Sequence, residues 1–152
     1  MDFVVNEWLP EYFRPDASQE EKILLETFLQ KFMQKEDRIF VKQPSEFLNK
    51  IYRYAKLYQT NSKVYSLIVL FINLVLRDSR RCVFVNDDII LLPEQLQVKL
   101  QEGNYASDTY LFEAASITEN KVIITTDVRL RNHLRDISEY HVTLLKDFIA
   151  DY

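Results

Sequence analysis

Residues 121–126, KVIITT, contain five consecutive β-branched residues, Val122 to Thr126. A strand with one wet face alternates apolar and polar side chains, whereas this run stays apolar through Ile124 and reads as a strand buried on both faces. Burial on both faces is the mark of a parallel sheet covered by helices, so the run dictates much of what surrounds it. Before it lies a segment with Leu111, Ala114, Ala115 and Thr118 at helical spacing, small enough for close packing; after it comes Asp127. The same strand-to-helix order recurs upstream. FVV at Phe3 to Val5 runs into NEWLPEYF, where Asn6 is able to cap a helix, and IFVKQ at Ile39 to Gln43 runs into PSEFLNKIYRYAKLY, with Pro44 at the first helical position.

The remaining segments fit this alternation. Ser18 and Glu21 form a capping box ahead of Ile23, Leu24, Phe28 and Phe32. An apolar helix spans about 62–78; CVFVN and DIILL read as strand-like runs around Asn86 and Asp87; PEQLQVKLQ is a helix led by Pro93. Ser107 suits an N-cap with Asp108 in the first turn, VRLRNHLRD is a short helix, and HVTLL is a last strand before KDFIADY. The expected fold is a three-layer α/β/α arrangement with a central, mostly parallel sheet flanked by helices. With 47% hydrophobic residues and no linker-like tract, residues 1–152 read as a single domain.

Composition removes several function classes. Gly103 is the single glycine, so phosphate-cradling loops of the GxGxxG or GxxxxGK[ST] type have no place here. A net charge of -4 argues against holding nucleic acid by bulk electrostatics but suits an acidic cluster that recruits metal. Cys82, alone and inside an apolar run, reads as a buried small hydrophobe, and His133 and His141 as ordinary surface or strand residues. LIVLFINLVL, Leu67 to Leu76, has about half the roughly 20 residues a membrane span needs and is interrupted by Asn73, so it reads as a core helix. Acids at Asp2, Glu7 and Glu11 and the absence of an early basic residue exclude a secretory signal; a cytoplasmic protein with no membrane attachment is expected.

Ligands of open parallel sheets bind outside the carboxyl ends of the strands. The residues to inspect are therefore Asn6 and Glu7 after the first strand, Glu46 after the second, Asp127 after VIITT, and Asp108 at the head of the helix leading into it. Each acid has an ordinary explanation by itself, as a helix-dipole or turn residue. Several carboxylates converging would repel unless a cation joined them, and an oxygen-only set suits magnesium or manganese. Such ions support phosphodiester hydrolysis.

In SDTYLFEAA followed by VIITTDVRL, and more weakly in FVVNEWL and PSEFL, the sequence resembles the PIN domain family of metal-dependent ribonucleases. The resemblance follows the element order over most of the chain and is specific in its C-terminal part. It implies an α/β/α sandwich whose acidic pocket binds Mg2+ or Mn2+ to cut RNA, with a cognate antitoxin protein and a homodimer as partners. Carried over residue by residue, Asp108 and Asp127 match the family's acids, Glu46 matches its helix-borne acid, and Asn6 stands where the family has its first Asp. Catalytic and metal roles are thus expected of Asp108, Asp127, Glu46 and Asn6, with Glu7 as an additional metal ligand. Asn keeps a carbonyl oxygen but removes a unit charge, and opposite charges at about 4 Å interact by about 4 kcal/mol at an effective dielectric near 20. Asp87 or Asp88 would contribute if their turn folds over the site.

Candidate RNA contacts are Lys50, Arg53 and Lys56, interleaved with Tyr52 and Tyr54, together with Arg129; Arg77, Arg80 and Arg81 form a second basic set. Two further classes compete. A PIN-like binding module without catalysis is motivated by Asn6 and the acidic charge. A phosphoacceptor domain would need a Lys after a strand, and none is evident in the sequence.

Overall fold

The computed structural model of the chain describes residues 1–86 and 90–152. Five strands, β1 Asp2–Val5, β2 Arg38–Lys42, β3 Cys82–Val85, β4 Val122–Thr125 and β5 His141–Leu144, pair in parallel throughout, in the order β3-β2-β1-β4-β5. The helices are α1 Trp8–Tyr12, α2 Gln19–Met33, α3 Glu46–Leu57, α4 Ser62–Phe71, α5 Glu94–Glu102, α6 Thr109–Ser116, α7 Val128–His133 and α8 Leu145–Asp151. They cover both faces of the sheet, giving the three-layer α/β/α architecture with a wholly parallel sheet.

Strand alternation decides which side chain enters which layer. Phe3, Val5, Ile39, Val41 and Ile124 point into a core shared with α1, α2, α3, α4 and α8. Val4, Phe40 and Ile123 point the other way, into a core shared with α5, α6 and α7. Carried one step further, the same alternation sends Asn6, Lys42 and Thr125 to the second face, beneath α6. No helix among the described residues is long and apolar enough to cross a membrane.

Local structure departs from sequence expectation where polar side chains compete for backbone groups. Helix α3 opens at Glu46 rather than Pro44, because Ser45 takes the N-cap position and accepts from the Leu48 amide; the Gln43–Pro44 peptide is cis. Asn6 is not the N-cap of α1. Glu7 holds that position, while the Asn6 side chain accepts from the Trp8 amide. Ser107 does not cap α6 either: Ala106–Asp108 form a 3₁₀ turn and Asp108 becomes the capping residue without a side-chain cap bond. The 62–78 segment ends in a π-helical turn at Ile72–Leu76, and one side of it, Leu67, Leu70 and Leu74, is exposed. Residues 90–92 form no strand; Asp87 and Asp88 lie outside the described residues.

The first core is built around Phe3, fully buried, whose ring meets Phe28, Phe32, Phe148 and Tyr152 at centroid distances of 6.1, 5.9, 5.4 and 6.1 Å. All four contacts are edge-on, a favourable arrangement for aromatic quadrupoles. Cys82 is buried at the start of β3, and burial pushes its thiol up to about 12. Replacing Phe3 with Ala is expected to destabilise the fold by about 3–5 kcal/mol through lost transfer energy and a residual cavity, measured by urea unfolding. A loss under about 1 kcal/mol would contradict this account of the core.

Candidate functional site

The chain lays down β1, β2 and β3 outward on one side and then returns to place β4 on the other side of β1. Strand order therefore reverses between β1 and β4, and the crevice at their carboxyl ends is the place where such sheets bind ligands. Asn6, Glu7, Thr125 and Asp127 occupy this junction.

Asn6 is buried and its amide is engaged in the fold. Nδ2 donates to Thr125 Oγ1 at 2.8 Å, and Oδ1 accepts from the Trp8 amide at 3.2 Å. Its backbone amide and the Trp8 indole, at 3.2 and 3.0 Å, both donate to the Ile124 carbonyl, so β4 and the start of α1 are stitched together. The fully buried Thr125 hydroxyl also accepts from the Asp127 amide at 3.0 Å. Asp127 then caps α7, its Oδ1 accepting from the amides of Arg129 and Leu130 at 2.8 and 2.9 Å.

Glu7 lies one residue beyond Asn6. Strand alternation would turn it away, but the chain has already left the strand: Glu7 has φ -68° and ψ -2°, helical values that free it from the two-residue period. Its charge reaches Asp108. The half-buried Asp108 carboxyl is pushed up to about 6, by burial first, then by Glu7 and then by Asp127. Three acids, at the N-cap positions of α1, α6 and α7, therefore share one electrostatic neighbourhood.

Tyr110 sits within it. Its ring packs against both cores, so it lies across the carboxyl edge of the sheet. Its hydroxyl is buried and has no hydrogen-bond partner among the described residues. Burial, followed by the charges of Glu7, Asp108 and Glu46, keeps this phenol protonated well above its usual range. Glu46 itself is exposed on the first turn of α3, 3.6 Å from Arg53.

The expected RNA contacts fall into different situations. The Lys50 ammonium is 2.9 Å from Glu11, which also accepts from Tyr54 at 2.7 Å and Arg14 at 3.1 Å. Burial works to raise the Glu11 carboxyl, but its Lys50, Tyr54 and Arg14 hydrogen bonds outweigh burial and hold it below the usual range. Arg53 is half-exposed, with its guanidinium over the Tyr54 ring at 5.5 Å. Arg129 is exposed in the first turn of α7, directly after the Asp127 cap. His133 is engaged structurally, with Nε2 beside the Lys99 carbonyl and its ring against Tyr105.

Two residues escaped sequence inspection. Lys42 does stand at the carboxyl end of a strand, contrary to the expectation that no such Lys exists; it is buried and 3.1 Å from Glu113. Its signal was an isolated cation closing the apolar run IFV. Tyr110 carried no signal beyond its position two residues after Asp108, since an aromatic in an apolar helix face looks like core.

Among the described residues, no three acidic, histidine or cysteine side chains stand close enough together, as placed, to hold a metal ion. The acids of the junction offer only carboxylate oxygen, the donor type that hard cations take. No family model matches the chain, and no curated protein and no solved structure shows a significant similarity to it.

The repulsion at Asp108 has a thermodynamic consequence. Its carboxyl is raised from the ordinary 3.8 to about 6 in the folded chain, so ionising it opposes folding. The cost is absent below the unfolded value, grows between pH 4 and 6, and is complete above about 6. At about 1.4 kcal/mol per pKa unit, discounted for partial exposure, Asp108→Asn is expected to raise stability at pH 7 by about 1–2 kcal/mol. Urea unfolding at pH 7 and pH 4 tests it: the gain should shrink at the lower pH, and a variant no more stable than the parent at pH 7 would contradict the shared pocket.

Proposed function

We propose that this chain is a divalent-cation-dependent endoribonuclease of the PIN type, hydrolysing RNA phosphodiester bonds at the β1–β4 junction. The observation that carries the reading is the half-buried Asp108 under the joint field of Glu7 and Asp127, at the point where strand order reverses. A half-buried carboxyl whose ionisation burial and neighbouring acids oppose is the condition a bound cation relieves.

Glu7, Asp108 and Asp127 are the residues that would hold magnesium or manganese, with Glu46 at the α3 side. Bound there, the ion would supply an activated water and polarisation of the phosphodiester. The chain's own residues have separable parts in this scheme. Asp127 keeps Oδ1 on the α7 amides, which orients the carboxylate and leaves Oδ2 for a ligand. Asn6 fixes the junction through Thr125 and Trp8, and Glu7 provides the negative charge on the β1 side that Asn6 does not. Arg129, two residues after Asp127, and Arg53, 3.6 Å from Glu46, would meet phosphates near the cut.

A second reading, a PIN-like binding module without catalysis, is favoured by one observation: both the nitrogen and the oxygen of the Asn6 amide are engaged in hydrogen bonds within the fold. Manganese calorimetry and cleavage of single-stranded RNA separate the two. The nuclease should cut with Mn2+ and stop on chelation, and Glu7→Gln, Asp108→Asn and Asp127→Asn should each lower the rate by about a hundredfold, equal to about 2.7 kcal/mol of barrier. Wild-type rates in those variants, or no Mn2+ binding at millimolar ion, would reject it; Mn2+ binding without cleavage would favour the module. Asn6→Asp is a gain-of-function test. The Thr125 hydroxyl can rotate to donate to the new carboxylate, and the added charge is expected to tighten Mn2+ binding about tenfold. Weaker binding in that variant would place residue 6 outside the cation's field.

A further inference from the structure

We propose that the cleft between α5 and α6 is a subsite for a guanine base of the RNA strand, with Glu113 as its recognition residue; the inference rests on the RNA substrate of the reading above. The cleft, of about 300 Å³, is lined on its apolar side by Ile90, Leu92 and Leu100. Its polar groups come from two helices at one-turn spacing, Gln97 and Gln101 on α5 and Thr109 and Glu113 on α6. An apolar wall with a few convergent polar groups is the usual composition of a small-ligand site. Thr109 directly follows Asp108, so a group seated here lies beside the proposed point of cleavage.

The cleft offers mainly acceptors. Gln97 has its amide nitrogen on the Leu92 carbonyl at 2.6 Å, a bond that ties residues 90–92 to α5 and leaves the amide oxygen to accept. The Thr109 hydroxyl spends its hydrogen on the Ala106 carbonyl at 2.8 Å and can only accept from a ligand. Glu113 is held 3.1 Å from the buried Lys42, and a carboxylate has lone pairs for further donors. A ligand for this set must bring N–H groups. It need not bring charge, because Lys42 already balances Glu113. It should also be flat, with an apolar face for the leucine and isoleucine wall. Guanine meets all three conditions: its N1–H and N2–H2 donors lie side by side and match the two oxygens of one carboxylate, while its O6 can accept from the Gln101 amide at the exposed rim. Adenine, cytosine and uracil each set a single donor group on that edge beside an acceptor, which a carboxylate repels.

The test uses labelled uridine hexamers carrying one central guanine, one central adenine or neither, with affinity for the full chain read by fluorescence anisotropy in chelator. The guanine hexamer should bind about tenfold more tightly than the other two, the scale of a bidentate base contact. Glu113→Gln, which exchanges an accepting oxygen for a donor, should bring it down to the affinity of the plain hexamer. Because that variant also leaves Lys42 without its carboxylate, Gln101→Ala serves as a second one: its melting temperature should match the parent's and its guanine preference should fall about threefold, the scale of one hydrogen bond. Equal affinities for the guanine and adenine hexamers, or a preference that survives both variants, would overturn the inference. Guanosine monophosphate competing as well as the guanine hexamer would overturn the RNA assignment in favour of a free nucleotide. Guanine preference without Mn2+-dependent cutting would reject the nuclease and keep the subsite, whereas cutting with no base preference in binding would reject the subsite alone.

Discussion

The hydrogen bond from the Asn6 amide to the Thr125 hydroxyl joins the two strands between which the sheet reverses its order. Everything at the pocket hangs from it. The same hydroxyl accepts from the Asp127 amide and so sets where α7 begins, while Asn6 Oδ1 takes the Trp8 amide and sets where α1 begins, with Glu7 at its head. Only a side chain carrying both a donor and an acceptor meets the two demands at once. Asn6 therefore departs from the acid expected there and in return organises the positions of two other acids. A carboxylate could keep the Trp8 contact, but it would need the Thr125 proton and would add a charge beside Asp108.

The rest of the chain shows how its charges are ordinarily treated. Glu11 is surrounded by Lys50, Tyr54 and Arg14, buried Lys42 meets Glu113, and Asp37 takes the Met1 amine and the Tyr152 hydroxyl. Each such arrangement sets desolvation against a compensating partner. Asp108 stands in contrast: burial and two like charges act on it in the same direction. A fold that tolerates such repulsion at one carboxyl has conceded stability locally.

The fold was legible from the hydrophobic pattern, because a parallel sheet needs strands apolar on both faces, and Val122 to Thr125 and Ile39 to Val41 announce this directly. Asp108 and Asp127 were legible as candidates through the strand–helix order alone. Helix starts were harder. Pro44, Ser107 and Asn6 all have the chemistry to open a helix, yet Ser45, Asp108 and Glu7 do so, because capping depends on which residue first leaves extended backbone. The same exit from the strand brings Glu7 toward the pocket, and a two-residue period cannot show where it stops applying. The π-helical turn at Ile72–Leu76 was hidden because a one-residue offset leaves an apolar segment still apolar. Tyr110 and Lys42 were hidden by burial: both sit in runs whose pattern reads as core, and their polar ends matter only once the neighbouring elements are in place.

Cys82 opens the edge strand β3, buried on the side of the larger core, with a thiol so weakly acidic that almost none is thiolate at neutral pH. Oxidants and electrophiles thus meet this sulfur chiefly in molecules whose edge has come away. The rate at which a trapping reagent consumes it under native conditions counts those openings, not the intrinsic reactivity of sulfur. The chain carries a built-in clock for fraying of its sheet, set two strands away from the acidic junction and readable without altering a single residue there.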